Sequence, residues 1–123
     1  MSIKRDELKT AVATITPADA NVGSAVPANM FRFIYKLKVT NLFAGANLLT
    51  LGKRENGAGA TTVIDYVQAA TQYETWNDPD ELKEDAAPLY IIGGKGSTGD
   101  SYVRAVTNNG NAYLTLWYVD APA

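Results

Sequence analysis

The stretch Gly94-Lys95-Gly96-Ser97-Thr98-Gly99 carries the letters G-x-G-x-x-G. In a dinucleotide-binding fold such glycines bring the backbone against a pyrophosphate at a helix N-terminus. That chemistry needs a helix next. The residues that follow, Ser101-Tyr102-Val103-Arg104-Ala105-Val106, are of β type, so the helix dipole that would hold the anion is missing. Lys95 is followed by Gly96 and not by Ser or Thr, which removes a Walker loop. A loop between strands is the simpler reading.

Other reactive groups are sparse. Glu74, Asp78, Asp80, Glu81, Glu84 and Asp85 supply enough oxygens for calcium, but not in the order of an EF-hand loop. A pair of them would serve a glycosidase only if opposed across a cleft, which a chain this short rarely builds. The chain has no histidine and no cysteine. Imidazole proton transfer, thiolate attack and the two best zinc ligands are therefore absent. The serines are Ser2, Ser24, Ser97 and Ser101, and the nearest candidate base, Lys95 beside Ser97, sits in a glycine loop that would not hold the geometry. The expectation is no catalytic set, no cofactor and no metal site, hence no enzyme.

The aromatic residues offer a different chemistry. Trp76, Trp117, Tyr73, Tyr102 and Tyr113 would suit a sugar-stacking platform, or a core and a subunit interface, where Trp and Tyr are enriched. The second reading is the plainer one, with Trp76, beside a charged segment, the residue most expected to face outward. Arg32, Lys36 and Lys38 line one face of an expected strand, as a basic stripe for an acidic partner or as an ordinary solvated face. A net charge of −2 and a pI near 5.0 argue against a nucleic-acid binder, which needs a basic surface.

The elements that position these groups read as β throughout. A chain of 123 residues is one domain by length and buries roughly two thirds of its unfolded surface. Residues 1–10 are polar, with Ile3 and Leu8 as isolated apolar anchors, and read as an N-terminal arm ahead of a single domain over 11–123. The start lacks the apolar stretch of a signal peptide, and no apolar run reaches the roughly 18 residues of a membrane helix. Residues 11–16 alternate as a weak first strand, and 17–29, rich in Ala, Pro, Asn and Gly, read as a loop.

The clearest strand spans 30–40. Phe31, Phe33, Tyr35, Leu37 and Val39 fall on one face, expected in the core, with Arg32, Lys36 and Lys38 on the wet face and Ile34 as an exception. Further strands are expected over 48–53, 61–68, 73–76 and 89–92, with a turn at Asn56-Gly57. Asp78-Pro79-Asp80-Glu81 has the capping pattern of one short helical turn. Residues 101–107 and 111–119 read as a hairpin through Asn108-Asn109-Gly110, its second strand apolar on both faces and so buried on both. The sum is an all-β domain, a jelly-roll-like antiparallel β-sandwich of about eight strands with one short helical turn.

Several of these segments together resemble the small β-sandwich proteins that decorate tailed-phage heads. They are Pro27-Ala28-Asn29 before the long strand ending in Thr40-Asn41, the strand from Leu48 to Gly52, and Pro88-Leu89-Tyr90-Ile91-Ile92-Gly93-Gly94. The last is the closing pair of strands from Ala105 to Asp120. The resemblance implies a structural virion protein without an active site, assembled in the host cytoplasm and carried on the capsid surface. It implies a homo-oligomer, a trimer, that cements the lattice of the major capsid protein, with no nucleic acid or membrane as partner. The partner-binding residues would be Ile3, Lys4, Arg5 and Leu8 of the arm, with Trp76, Tyr113 and Trp117 of the domain. The alternative is a carbohydrate-binding module or a fibre domain that binds a receptor through exposed aromatics.

Overall fold

The computed structural model describes residues 3–4, 8–40, 48–54, 62–68, 72–76, 81–82, 88–93 and 99–122, the backbone alone at 3–4, 65–68, 72–76 and 81–82. The strands are β1 (Ile3–Lys4), β2 (Lys9–Ile15), β3 (Ala20–Val26), β4 (Met30–Thr40), β5 (Leu48–Arg54) and β6 (Thr62–Gln68). They continue as β7 (Gln72–Trp76), β8 (Glu81–Leu82), β9 (Tyr90–Gly93), β10 (Ser101–Thr107) and β11 (Ala112–Pro122).

One sheet runs β2-β11-β4-β7, with β9 also on the β7 side of β4, and the other runs β3-β10-β5-β6. All pairings are antiparallel and nested: β2 with β11, β3 with β10, β4 with β7, β5 with β6. A ribbon whose first strand meets its last, rolled so that successive strands change sheet, is a jelly roll. The expected β-sandwich is the fold. It carries more strands than expected, because β1, β3 and β8 fall where no strand was expected; β1, β8 and β9 stand outside the eight that make the roll.

The alternation along each strand selects what goes between the sheets. Ala11 and Ile15 of β2, Leu114 and Leu116 of β11, and Leu37 and Val39 of β4 meet Val22, Leu49, Leu51, Val103 and Ala105 of the other sheet in one buried core. Each of the larger side chains there contributes roughly 1.5–3 kcal/mol by leaving water.

Strand β4 departs from simple alternation, and the departure reorganises the domain. Lys36 stands opposite Trp117 and Ile34 opposite Tyr118, so Tyr35 is an extra residue facing a single step of β11. This β-bulge reverses the faces on its N-terminal side. Leu37 and Val39 point inward as expected, but so do Ile34 and Arg32, while Phe31 and Phe33 are half-buried on the outer face. Tyr35 is buried in a separate outer cluster with Leu8, Phe33 and Val119. Burial raises the pKa of its hydroxyl above the ordinary 10.0 because the phenolate is poorly solvated there. The folded chain then keeps a proton that the unfolded chain loses, so this contribution is full below the unfolded pKa and fades as pH rises past it. Tyr35→Phe should make the fall in Tm between about pH 9 and 11 shallower; an unchanged slope would contradict this.

Arg32 is therefore not on the wet face. It is 1% exposed, and its Nε and Nη2 donate to the two carboxylate oxygens of Asp120, each at 2.8 Å. Its Nη1 donates to the Ser24 carbonyl at 2.6 Å, and the guanidinium lies 4.2 Å from the Tyr118 ring centroid. The Ser24 carbonyl reaches it because β3 is also bulged: Val26 and Val22 pair with Ser101 and Val103, leaving Gly23, Ser24 and Ala25 opposite Tyr102. Gly23 has a φ of 76°, and a Cβ there would stand 2.9 Å from that of Ala11. The backbone and the space both call for glycine.

The structure corrects other expectations. β3 lies within the stretch read as a loop, since the bulge spaces Val22 and Val26 four residues apart and hides the alternation. β10 and β11 are the expected strands but not a hairpin: β10 pairs with β3 and β5, and β11 with β2 and β4. Asn108-Asn109-Gly110 carries the chain from one sheet to the other, with Thr107 donating its hydroxyl to the Gly110 carbonyl at 2.6 Å. β11 is buried on one face only, its other face carrying Tyr113 exposed and Trp117 half-buried. In place of the helical turn, Glu81–Leu82 is the short strand β8; residues 77–80 lie outside the described residues. The arm boundary also moves, since Lys9 and Thr10 open β2 and Ile3–Lys4 pair with β8. The turn at Asn56-Gly57 and the glycine motif over 94–98 lie outside the described residues, although the segment after the motif is strand β10.

Candidate docking face

The two outer faces of the sandwich differ in how their polar groups are used. On the β3-β10-β5 side, Arg104 pairs with Asp19 at 3.3 Å and donates to Asn21, and the Arg54 guanidinium lies 5.2 Å from the Tyr102 ring centroid. Arg104 there finds its polar partners within the chain.

On the β2-β11-β4 side the residues opposite one another are Thr14, Tyr113 and Thr40, then Val12, Thr115 and Lys38, then Thr10, Trp117 and Lys36. Beyond the bulge, Val119 and Ile91 flank Phe33, and Ala121 and Gly93 flank Phe31. The two phenylalanine rings are 5.6 Å apart and tilted by 35°. Val12 is 66%, Ile91 47% and Tyr113 40% exposed. Among the described residues, three of the four large exposed apolar side chains thus stand on one outer face, where alternation would ordinarily put polar residues; the fourth, Val63, is on β6 of the other sheet.

The expected partner-binding residues divide as follows. Tyr113 and Trp117 come together on this face, four residues apart on β11 with Thr115 between them. Leu8 joins it at the other end, packed on Tyr35. Trp76 stands on β7 opposite Lys36, which is itself opposite Trp117. Ile3 and Lys4 stand apart on β1, and Arg5 lies outside the described residues. Val12 and Ile91 were not singled out from the sequence. Val12 had a signal, its place on the polar side of an alternating strand; Ile91 had none, because its face depends on the bulge in β4.

The described polar and aromatic groups of this face contact one another. The Lys36 ammonium lies 4.6 Å from the Trp117 ring centroid, a cation–π contact of about 0.5–1 kcal/mol that also occupies one side of the ring. Among the described residues no group of three carboxylates could hold a metal ion; the acidic run over 74–85 lies outside the described side chains. No protein-family model matches the chain and no curated protein matches it in sequence, so a functional reading rests on this fold and this face.

Proposed function

We propose that this chain is a structural virion protein, a capsid decoration or cementing protein that binds the major capsid lattice through the outer face of β2-β11-β4. The observation that carries the reading is the strip from Val12 and Tyr113 through Trp117 to Phe33 and Ile91, set on one outer face of a jelly roll. Flat apolar strips with aromatic anchors and a polar surround suit binding to another protein. A homotrimer would present the strip three times and multiply a weak single contact. The resemblance to phage-head decoration proteins supplies the kind of partner.

A sugar-binding module is the second reading, and Lys36 counts against it. Its ammonium already lies against the Trp117 ring and so competes for the stacking surface of that half-buried residue.

Tyr113→Glu tests the proposal. Because Tyr113 is exposed, the variant should keep its stability within about 0.5 kcal/mol. Its occupancy on purified particles, read by sedimentation and particle reconstruction, should fall by about 30-fold, the loss of one aromatic anchor worth roughly 2 kcal/mol. Unchanged occupancy, or a reconstruction with this face in solvent, would overturn the reading. Saturable glycan binding lost with Tyr113 would favour the alternative.

A further inference from the structure

Strands β1 and β8 pair over two residues, Ile3 opposite Leu82 and Lys4 opposite Glu81, and among the described residues neither pairs with a strand of the sandwich. The register matches an apolar residue with an apolar one and a base with an acid. Such cross-strand pairs favour their pairing by about 0.2–1 kcal/mol each. Yet a ribbon of two short strands is marginal in water without a third strand or a packed face. Among the described residues, this two-residue ladder is the pairing that β1 makes.

An element of this kind suits exchange between copies. The contacts of Ile3–Lys4 are the same whether the β8 it meets belongs to its own chain or to a neighbour, so exchange links copies at little cost in free energy. We propose that β1 is exchanged, Ile3–Lys4 of one chain pairing with Glu81–Leu82 of a second copy. In a homotrimer, exchange passed around the ring ties each copy to both neighbours, and the last contact then forms as if within one molecule. The complementary register argues for this chain's own β8, rather than an unrelated edge, as the receiving strand. The inference concerns contacts between copies and stands whatever surface the domain attaches to.

The chain has no cysteine, so introduced thiols report the contact without interference. Ile3→Cys and Leu82→Cys are made separately in the full chain, mixed while reduced, and then oxidised. Residues directly opposite in an antiparallel pair lie roughly 4.5–5.5 Å apart at Cα, within reach of a disulfide. Exchange predicts that the mixed dimer, position 3 to position 82, accumulates ahead of both same-site dimers on a non-reducing gel, with loss of the monomer band. Lys4→Glu added to the first variant should abolish that preference, and Glu81→Lys added to the second should restore it. A mixed dimer that is absent, or that forms no faster than the same-site dimers, overturns the proposal. So does a preference indifferent to the charge reversal.

Discussion

Asp120→Ala is expected to lower the stability of the folded chain by about 3–5 kcal/mol, a large share of the roughly 5–15 kcal/mol of a typical domain. The substitution removes both acceptors of the bidentate pair and leaves the Arg32 guanidinium almost wholly out of water with the Ser24 carbonyl as its strongest remaining partner. The Tyr118 ring recovers little of that loss. Asp120 is itself 15% exposed, so water can reach the gap and the loss should fall near the lower end of the range. The double variant Arg32→Met with Asp120→Leu sets the contrast: with both charges gone and the volume kept, stability should be within about 1 kcal/mol of the parent or above it. Urea titration of the three proteins decides. If Asp120→Ala costs no more than the double variant, the pair is not acting as a buried charge pair.

Much of this fold was legible because alternation is a local property. Leu37 and Val39 show their inward face in a window of five residues, and the strands expected over 30–40, 48–53 and 111–119 have bounds close to the observed ones, although the last, apolar on both faces, does not show which face is inward. What was not legible belongs to pairs of strands. The bulge at Tyr35 exists only relative to β11, and its trace in the sequence was Ile34, the apolar residue on the supposed polar face. Arg32 was read on the wrong face for the same reason. Asn108-Asn109-Gly110 marks a change of direction and not the partner that follows, so a corner between sheets passed for a hairpin. On the docking face, Tyr113 and Trp117 announced themselves by type, whereas Ile91 needed the register of β9 on β4.

The bulge makes the second large prediction, which turns on one deletion against another. Removing Tyr35 leaves Arg32, Phe33, Ile34, Lys36 and Leu37 in unbroken alternation, with Ile34 and Lys36 still opposite Tyr118 and Trp117. Every inward residue stays inward. The loss is the Tyr35 side chain from the cluster it forms with Leu8, Phe33 and Val119, at most about 3–5 kcal/mol by analogy with truncating a buried aromatic. Removing Phe33 takes an aromatic residue from the same cluster but has the opposite geometric result. With Ile34 and everything after it held in place, Arg32 and Met30 move to the outer face and Phe31 to the inner one. Asp120 then loses its partner, the Ser24 carbonyl loses its donor, and a phenylalanine must fit where a guanidinium had been. The charge penalty of about 3–5 kcal/mol is added to that of the cluster, enough to unfold a domain of ordinary stability. The deletion of Tyr35 should give a folded protein with one cooperative thermal transition at reduced Tm, and the deletion of Phe33 a chain without one. Near-ultraviolet circular dichroism and calorimetry on the two variants separate these outcomes. If both deletions unfold the chain, or if they cost the same, Tyr35 is not the extra residue and the faces of β4 have been assigned wrongly.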